Sequence, residues 1–263
     1  MKSIATPDPW VSLRRHTAAR IALGRSGASL PTAEVLGFGL AHAQARDAVH
    51  LPLDLDALER ELQAQDFGCQ RVHSAALDRA DYLRRPDRGR RLDAASRERL
   101  AAYPDKGMDV LFVVADGLSS KAAQRHALPL LVEVRPYLEA AGFRIGPVLL
   151  AQQSRVALGD EAGELLKATA VVMLIGERPG LSSPDSLGIY LTWQPRVGRS
   201  DAERNCISNV RPEGLGHVEA ATRLSWLLVE ARRLQLTGVL LKDESDALSL
   251  ADRAAVTGVL GGS

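Results

Sequence analysis

Between Gly176 and Gly214 the chain concentrates side chains able to bind or react: Glu177, Arg178, Arg196, Arg204, Asn205, Cys206 and Asn209. A carboxylate and guanidinium groups beside each other could hold a polar ligand, although Glu177-Arg178 taken alone is more often a surface ion pair of little energetic weight. Cys206 could act as a nucleophile if a base activated it. Nothing local supplies one, since His217 lies eleven residues on, and a small packing thiol is the plainer reading. Asp116-Gly117-Leu118-Ser119-Ser120 could offer backbone N–H groups to a phosphate at a helix start. A capped helix with a tight turn explains the same residues.

Other patterns fail on inspection. Gly37-Phe38-Gly39 begins a dinucleotide fingerprint but lacks the third glycine and follows a helical pattern rather than a strand. Neither a GxxxxGK[ST] loop nor a GxSxG elbow occurs. His16, His42, His50, His73, His126 and His217 are scattered without HxH, HExxH or CxxC spacing, which argues against a protein-built zinc site.

The elements that must position these residues divide the chain in two. The first hundred residues read as mainly helical. Trp10, Leu13, Ala18, Ile21 and Leu23 recur at helical spacing up to a stop at Gly24 to Gly27. A second helix follows Pro31-Thr32 until the break at Pro52, and a third spans Leu53 to Leu62. Cys69 to Ala76 fits a strand or an extended segment. The arginine-dense stretch 78–92, with Asp78, Asp81 and Asp87 interleaved, reads as a salt-bridged loop or subunit contact rather than an RNA patch.

From Met108 strands and helices alternate. MDVLFVVADG and GPVLLAQQ are strands, and a helix punctuated by Pro129 and Pro136 lies between them. Next come a helix at 161–167, a strand at 171–175, the long polar loop 176–214, a helix from Val218 to Leu234 and a last strand at 237–243. Such alternation predicts an α/β fold: a helical N-terminal part, residues 1–100, then a doubly wound parallel sheet domain, residues 101–263. The tail after Asp243 reads as peripheral. In such sheets ligands sit in the loops leaving the carboxyl ends of strands, which makes 176–214 the leading binding candidate.

Composition excludes several roles. With 33 Lys+Arg against 32 Asp+Glu the net charge is +1, which argues against nucleic acid or a membrane surface as partner. No apolar run approaches the roughly 18 residues of a membrane span. The N-terminal MKSIATPDPW lacks the apolar core of a secretory signal. Two cysteines, Cys69 and Cys206, make no disulfide framework, so a cytoplasmic setting is expected.

The segments LRRHTAARIALGRSG, LAHAQARDAVH, YLRRPDRGRRL, DVLFVVADGLS, SRVALGDEAGELL, IGERPGLSSPDSLGIYLTWQPRVG and DAERNCISNVRPEG, in that order between Trp10 and Asp243, resemble the small subunit of ethanolamine ammonia-lyase. The resemblance implies that the sheet domain is Rossmann-like, and it implies a partner chain, a TIM-barrel large subunit that holds ethanolamine and carries the main catalytic residues, with none expected here. It implies adenosylcobalamin bound base-on at the interface, with no cobalt ligand from this protein, and conversion of ethanolamine to acetaldehyde and ammonia. Carried over residue by residue, its cobalamin contacts fall on Val156, Glu177 and Cys206. Where the family often has Gly-Arg-Val, this chain has Ser154-Arg155-Val156. A large hetero-oligomer with equal numbers of both subunits is implied. Only nine residues precede Trp10, which argues against packaging in a bacterial microcompartment. The competing expectations are a stand-alone Rossmann-like nucleotide-binding protein and a purely structural assembly subunit.

Overall fold

A computed structural model describes residues 5–245, so the expectation for the tail after Asp243 falls almost wholly outside the described residues. Six strands form one sheet in the order β1-β3-β2-β4-β5-β6. In chain order the elements are α1 (Thr32–His50), α2 (Leu55–Gln63), β1 (Cys69–His73), α3 (Arg79–Arg84), α4 (Ala94–Ala101), β2 (Val110–Ala115), α5 (Ser120–Ala140) and β3 (Val148–Gln152). Then follow α6 (Leu158–Leu166), β4 (Ala170–Gly176), β5 (Leu187–Trp193), β6 (Asn205–Val210) and α7 (His217–Leu234). The ladders β1/β3, β3/β2 and β2/β4 are parallel; β4/β5 and β5/β6 are antiparallel.

Strand β2 shows how the sequence makes this fold. Every residue of VLFVVA is buried, as a central strand covered on both faces demands. Val110, Phe112 and Val114 point to a core shared with α2, α5 and α7. Leu111, Val113 and Ala115 point to the opposite core, built with α4 and α6. The period of two thus feeds two hydrophobic layers from one strand. The result is a mixed α/β protein with helices on both faces of a mostly parallel sheet.

Several sequence expectations are corrected. The region 176–214 is not one long loop, because β5 and β6 lie inside it and extend the sheet antiparallel. LGIYLTW is almost wholly buried, but flanking polar segments dilute it, and NCISNV, an edge strand, buries only Ile207 and Val210. The expected last strand at 237–243 is instead a 3-10 turn over Gly238–Leu240. Gly238 has a positive φ, and the side chain of Asn205 accepts its N–H. Between Trp10 and Leu23 only a short 3-10 turn, Val11–His16, forms and none of its residues is buried. A helical stripe without a core to face gives too little to offset nucleation.

Other expectations are refined. Cys69–His73 pairs in parallel with β3. Helix α6 starts at Leu158, three residues before Glu161. Helix α5 runs through both Pro129 and Pro136. Ser119 caps α5, accepting the N–H of Ala122 while its hydroxyl donates to the Pro184 carbonyl at 2.8 Å.

Candidate functional site

Strand order fixes where a ligand can sit. After β2 the chain crosses to one side, to β3, and then returns past β2 to β4. The two crossover helices, α5 and α6, lie on opposite faces. A crevice therefore opens beyond the carboxyl ends of these three strands. A depression of about 460 Å3 lies there, lined by Gly117 and Leu118 after β2, Arg155 and Val156 after β3, and Gly176, Glu177 and Arg178 at the end of β4. Tyr82 and Tyr190 complete its walls.

The turn after β2 packs very closely. Gly117 has φ +53°, and a Cβ there would come within 2.3 Å of the Gly176 carbonyl oxygen. That carbonyl accepts the N–H of Leu118 at 2.9 Å. The Asp116 side chain turns toward β3 and accepts the N–H groups of Gln153 at 2.8 Å and Ser154 at 3.0 Å, with Arg79 3.5 Å away. Burial pushes the Asp116 carboxyl up, against the pull of those amides and of Arg79. The Asp-Gly sequence thus works as a bracket between neighbouring strand ends.

Glu177 is held in one orientation. Its Oε2 accepts from the Ser186 hydroxyl and, at 3.2 Å, from the Asn209 N–H. Asn209 sits at φ +59°. Gly188 leaves room for the carboxylate, since a Cβ there would lie 3.1 Å from Oε1. Oε1 has no hydrogen-bond partner among the described residues, so one oxygen is fixed and the other remains free to accept.

Val156 and Glu177 line the same depression, whereas Cys206 lies one strand further out, exposed on β6 and opposite Tyr190 in the β5/β6 register. Its Sγ is 3.3 Å from the Ser208 hydroxyl. Burial, then the neighbouring Cys206, pushes the Tyr190 phenol well above its ordinary value. The loop candidates separate by role. Arg204 is buried and engages Asp160 through two contacts of 2.6 and 2.7 Å. Asn205 binds the backbone of Gly238 and Leu241. Arg196 is exposed.

The arginine-dense stretch folds against this site. Arg88 pairs with Asp81, Arg85 with Asp87, and Arg91 joins Arg97 on Glu161. Buried Tyr82, its phenol pushed up to about 12 chiefly by burial, donates to the Ser154 carbonyl at 3.2 Å. The guanidinium groups of Arg79 and Arg155 both lie over its ring, at 4.7 and 4.6 Å. Sequence reasoning missed Tyr82, Arg155 and Tyr190 as site walls. For Tyr190 a signal existed in the alternation within GIYLTW; Tyr82 reaches the site only through tertiary packing.

Among the described residues no helix is long and apolar enough to cross a membrane. The family model described as ethanolamine ammonia-lyase light chain matches residues 7–242. The ethanolamine ammonia-lyase small subunit of Ralstonia nicotianae is 58% identical over 245 residues, covering 92% of this chain and 90% of that protein. The small subunit from Pseudomonas aeruginosa is 57% identical over 254 residues, covering 95% and 93%. That from Azotobacter vinelandii is 56% identical over 252 residues, with the same coverage.

Proposed function

Because the chain belongs to the family of ethanolamine ammonia-lyase small subunits, we propose that it seats adenosylcobalamin against a large subunit, which carries the main catalytic residues. When bound, adenosylcobalamin supplies the radical chemistry by which ethanolamine loses ammonia and becomes acetaldehyde. This chain's own residues orient the cofactor and keep water from its buried face.

The observation that carries this reading is the divided carboxylate of Glu177. Its Oε2 is pinned by Ser186 and Asn209, so Oε1 is left as a fixed acceptor at a depression lined by both apolar and charged side chains. A corrin ring edged with amide groups needs such acceptors beside apolar contact. Val156 and Tyr190 supply the apolar contact, and Cys206 extends the same face outward. The lining thus fits the cofactor. The sheet serves as a Rossmann-like platform in this reading. Residues 101–263 carry the three contacts, and residues 1–100 add Tyr82 beneath them.

The test is to co-express the chain with a large subunit and assay acetaldehyde from ethanolamine with and without adenosylcobalamin. Activity is expected only when both chains and the cofactor are present. Glu177→Ala should lower cobalamin affinity, read by absorption titration, while the two chains still co-purify. Unchanged affinity in that variant would remove Glu177 from the site. A complex that assembles and binds no cobalamin would leave a structural subunit instead.

A further inference from the structure

Residues 10–51 carry an apolar surface that none of the described residues covers. They make up fewer than a fifth of the described residues, yet more than half of the exposed large apolar side chains fall among them. Trp10 and Leu13 stand on the amino-terminal arm, and Val35, Leu36, Phe38 and Leu40 on α1. The arm is fastened along the first half of α1. Arg14 pairs with Glu34 at 3.0 Å, Arg20 donates to the Gly37 carbonyl at 3.2 Å, and its guanidinium lies 5.5 Å from the centre of the Phe38 ring. The two pieces therefore present one patch. Its apolar residues expose on the order of 1,000 Å2, more than the roughly 800 Å2 per partner of a stable interface. Surface of that extent gains little from the chain's own core and much from a partner.

The rim of the patch selects the occupant. Residues 5–31 hold four arginines against one aspartate, and Arg15 and Arg25 are exposed with no acidic partner among the described residues. A second copy of this chain would set like charge against like charge across a two-fold axis, which is costly. A different protein with an apolar face and an acidic rim meets no such repulsion. Membership in a family of small subunits implies such a protein, the large subunit.

The far end of α1 is tied to the crevice. The Val49 carbonyl accepts Arg79 Nε at 2.6 Å, and the Leu51 carbonyl just beyond accepts the Ser120 hydroxyl, also at 2.6 Å, at the start of α5. Arg79 Nη1 reaches on to Asp116 at 3.5 Å and to the Gln153 side chain at 3.3 Å. Its Nη2 is buried with no partner among the described residues, so the guanidinium keeps a spare donor.

We propose that the arm and α1 dock on the large subunit, and that Arg79 transmits this docking to the turn at 153–156. The inference rests on the two-subunit reading above and names its surface. Docking that holds α1 also holds the Val49 carbonyl. Arg79, anchored on that carbonyl, then holds Asp116 and Gln153. Arg79 is thus a positioning residue, which acts through Asp116 and touches no ligand.

The full chain is mixed with the large subunit, and association is measured by sedimentation velocity. Leu36→Asp and Leu40→Asp change exposed side chains, so the chain's own melting curve should stay in place. Each should weaken association about tenfold or more. Val229→Asp, at an exposed position on α7, should leave association unchanged. Equal losses at all three positions, or none at Leu36 and Leu40, would overturn the docking surface. Self-association of this chain that Leu36→Asp abolishes, with the mixed complex unaffected, would also overturn it, because the occupant is then a second copy. Hydrogen exchange without cofactor tests the transmission. The large subunit should slow exchange at the amides of residues 153–156. Arg79→Met should remove most of that slowing while association persists, and Arg79→Lys, which keeps a point charge, should retain part of it. Slowing that survives intact in Arg79→Met would overturn the transmission. Neither readout contains cobalamin, so failure of either leaves the cofactor reading standing. A wild-type chain that forms no complex would overturn the two-subunit reading and this surface together.

Discussion

Asp116 and Ser154 are joined carboxylate to amide, at 3.0 Å, across the gap between the ends of β2 and β3. The side chain that closes one strand therefore shapes the turn that follows its neighbour. That turn carries Arg155 and Val156, and its Ser154 carbonyl is tied to the Tyr82 hydroxyl. The bracket thus helps set the geometry of the depression.

Asp116→Ala should destabilise the chain by about 2–4 kcal/mol, since the amides of Gln153 and Ser154 lose their acceptor beneath a buried surface. Urea unfolding measures the stability. Cobalamin affinity should fall in parallel, because the 153–156 turn relaxes. A variant that is destabilised yet binds cobalamin normally would separate the bracket from the site.

Glycine substitutions should split by location. A Cβ at Gly176 would lie 1.9 Å from the Ser119 carbonyl oxygen and 2.6 Å from that of Asp116, so Gly176→Ala should misfold or lose several kcal/mol, beyond the usual overpacking range of about 1–3 kcal/mol. Gly39 lies within α1 with nothing near the position of its absent Cβ. Gly39→Ala should stabilise that helix by up to about 1 kcal/mol. Circular dichroism melts of the two variants should move in opposite directions.

The pair of Arg204 and Asp160, each side chain 2% exposed, is sensitive to removal of one partner. Arg204→Met should lose about 3–5 kcal/mol by stranding the carboxylate, and adding Asp160→Leu should restore much of it. Equilibrium unfolding of the single and double variants gives the comparison. Losses that simply add would show that the two side chains are not coupled.

Acid sensitivity should trace to His126 and His217, whose rings meet Nδ1 to Nε2 at 3.1 Å. Burial lowers the affinity of both for a proton. For His126 its partner histidine, Arg125 and Arg211 lower it further, while Asp185 opposes them; for His217 Glu133 opposes the shift. In the folded chain both rings thus stay neutral at a pH where the unfolded chain already protonates them. Their contribution to stability is complete above the ordinary histidine value of about 6.5 and is lost as pH falls below it. Asp185, held down by Arg125 and Arg211, acts in the separate window of carboxylate titration below about pH 4. His217→Gln should flatten the decline in melting temperature between about pH 7 and 5.5. An equally steep decline in that variant would place the sensitivity elsewhere.

Much of this architecture is legible in the residues, and the failures have physical causes. Continuous apolar runs marked β2, β3 and β4 because a strand covered on both faces must be apolar throughout. Periodicity also marked α1 and α7. Strands β5 and β6 were hidden among turn residues, since an edge strand such as NCISNV has half its surface in solvent and no run to detect. The stripe at Trp10–Leu23 suggested a helix that the protein has no core to support. For the site, strand-end logic picked out Glu177 and the family resemblance supplied Val156; both line one hollow. Tyr82 and Arg155 depend on Gly89, whose carbonyl accepts the Arg155 N–H at 2.8 Å. A contact between residues so far apart in the chain leaves no local trace.

Helix α1 is nineteen residues long yet buries only Ala41 and Ala48, while Leu36, Phe38 and Leu40 face outward. The chain should therefore not melt as one cooperative unit. Its amino-terminal arm and α1 form a foldon of low local stability, anchored lightly to α5, and the sheet with its covering helices forms another. The three tryptophans divide along that line: Trp10 is 66% exposed on the arm, Trp193 is 3% exposed in the sheet, and Trp226 on α7 packs against the sheet core. Fluorescence from Trp10 and from the other two would report separate transitions, and an unfolding free energy taken from either signal alone would describe only one of the two units.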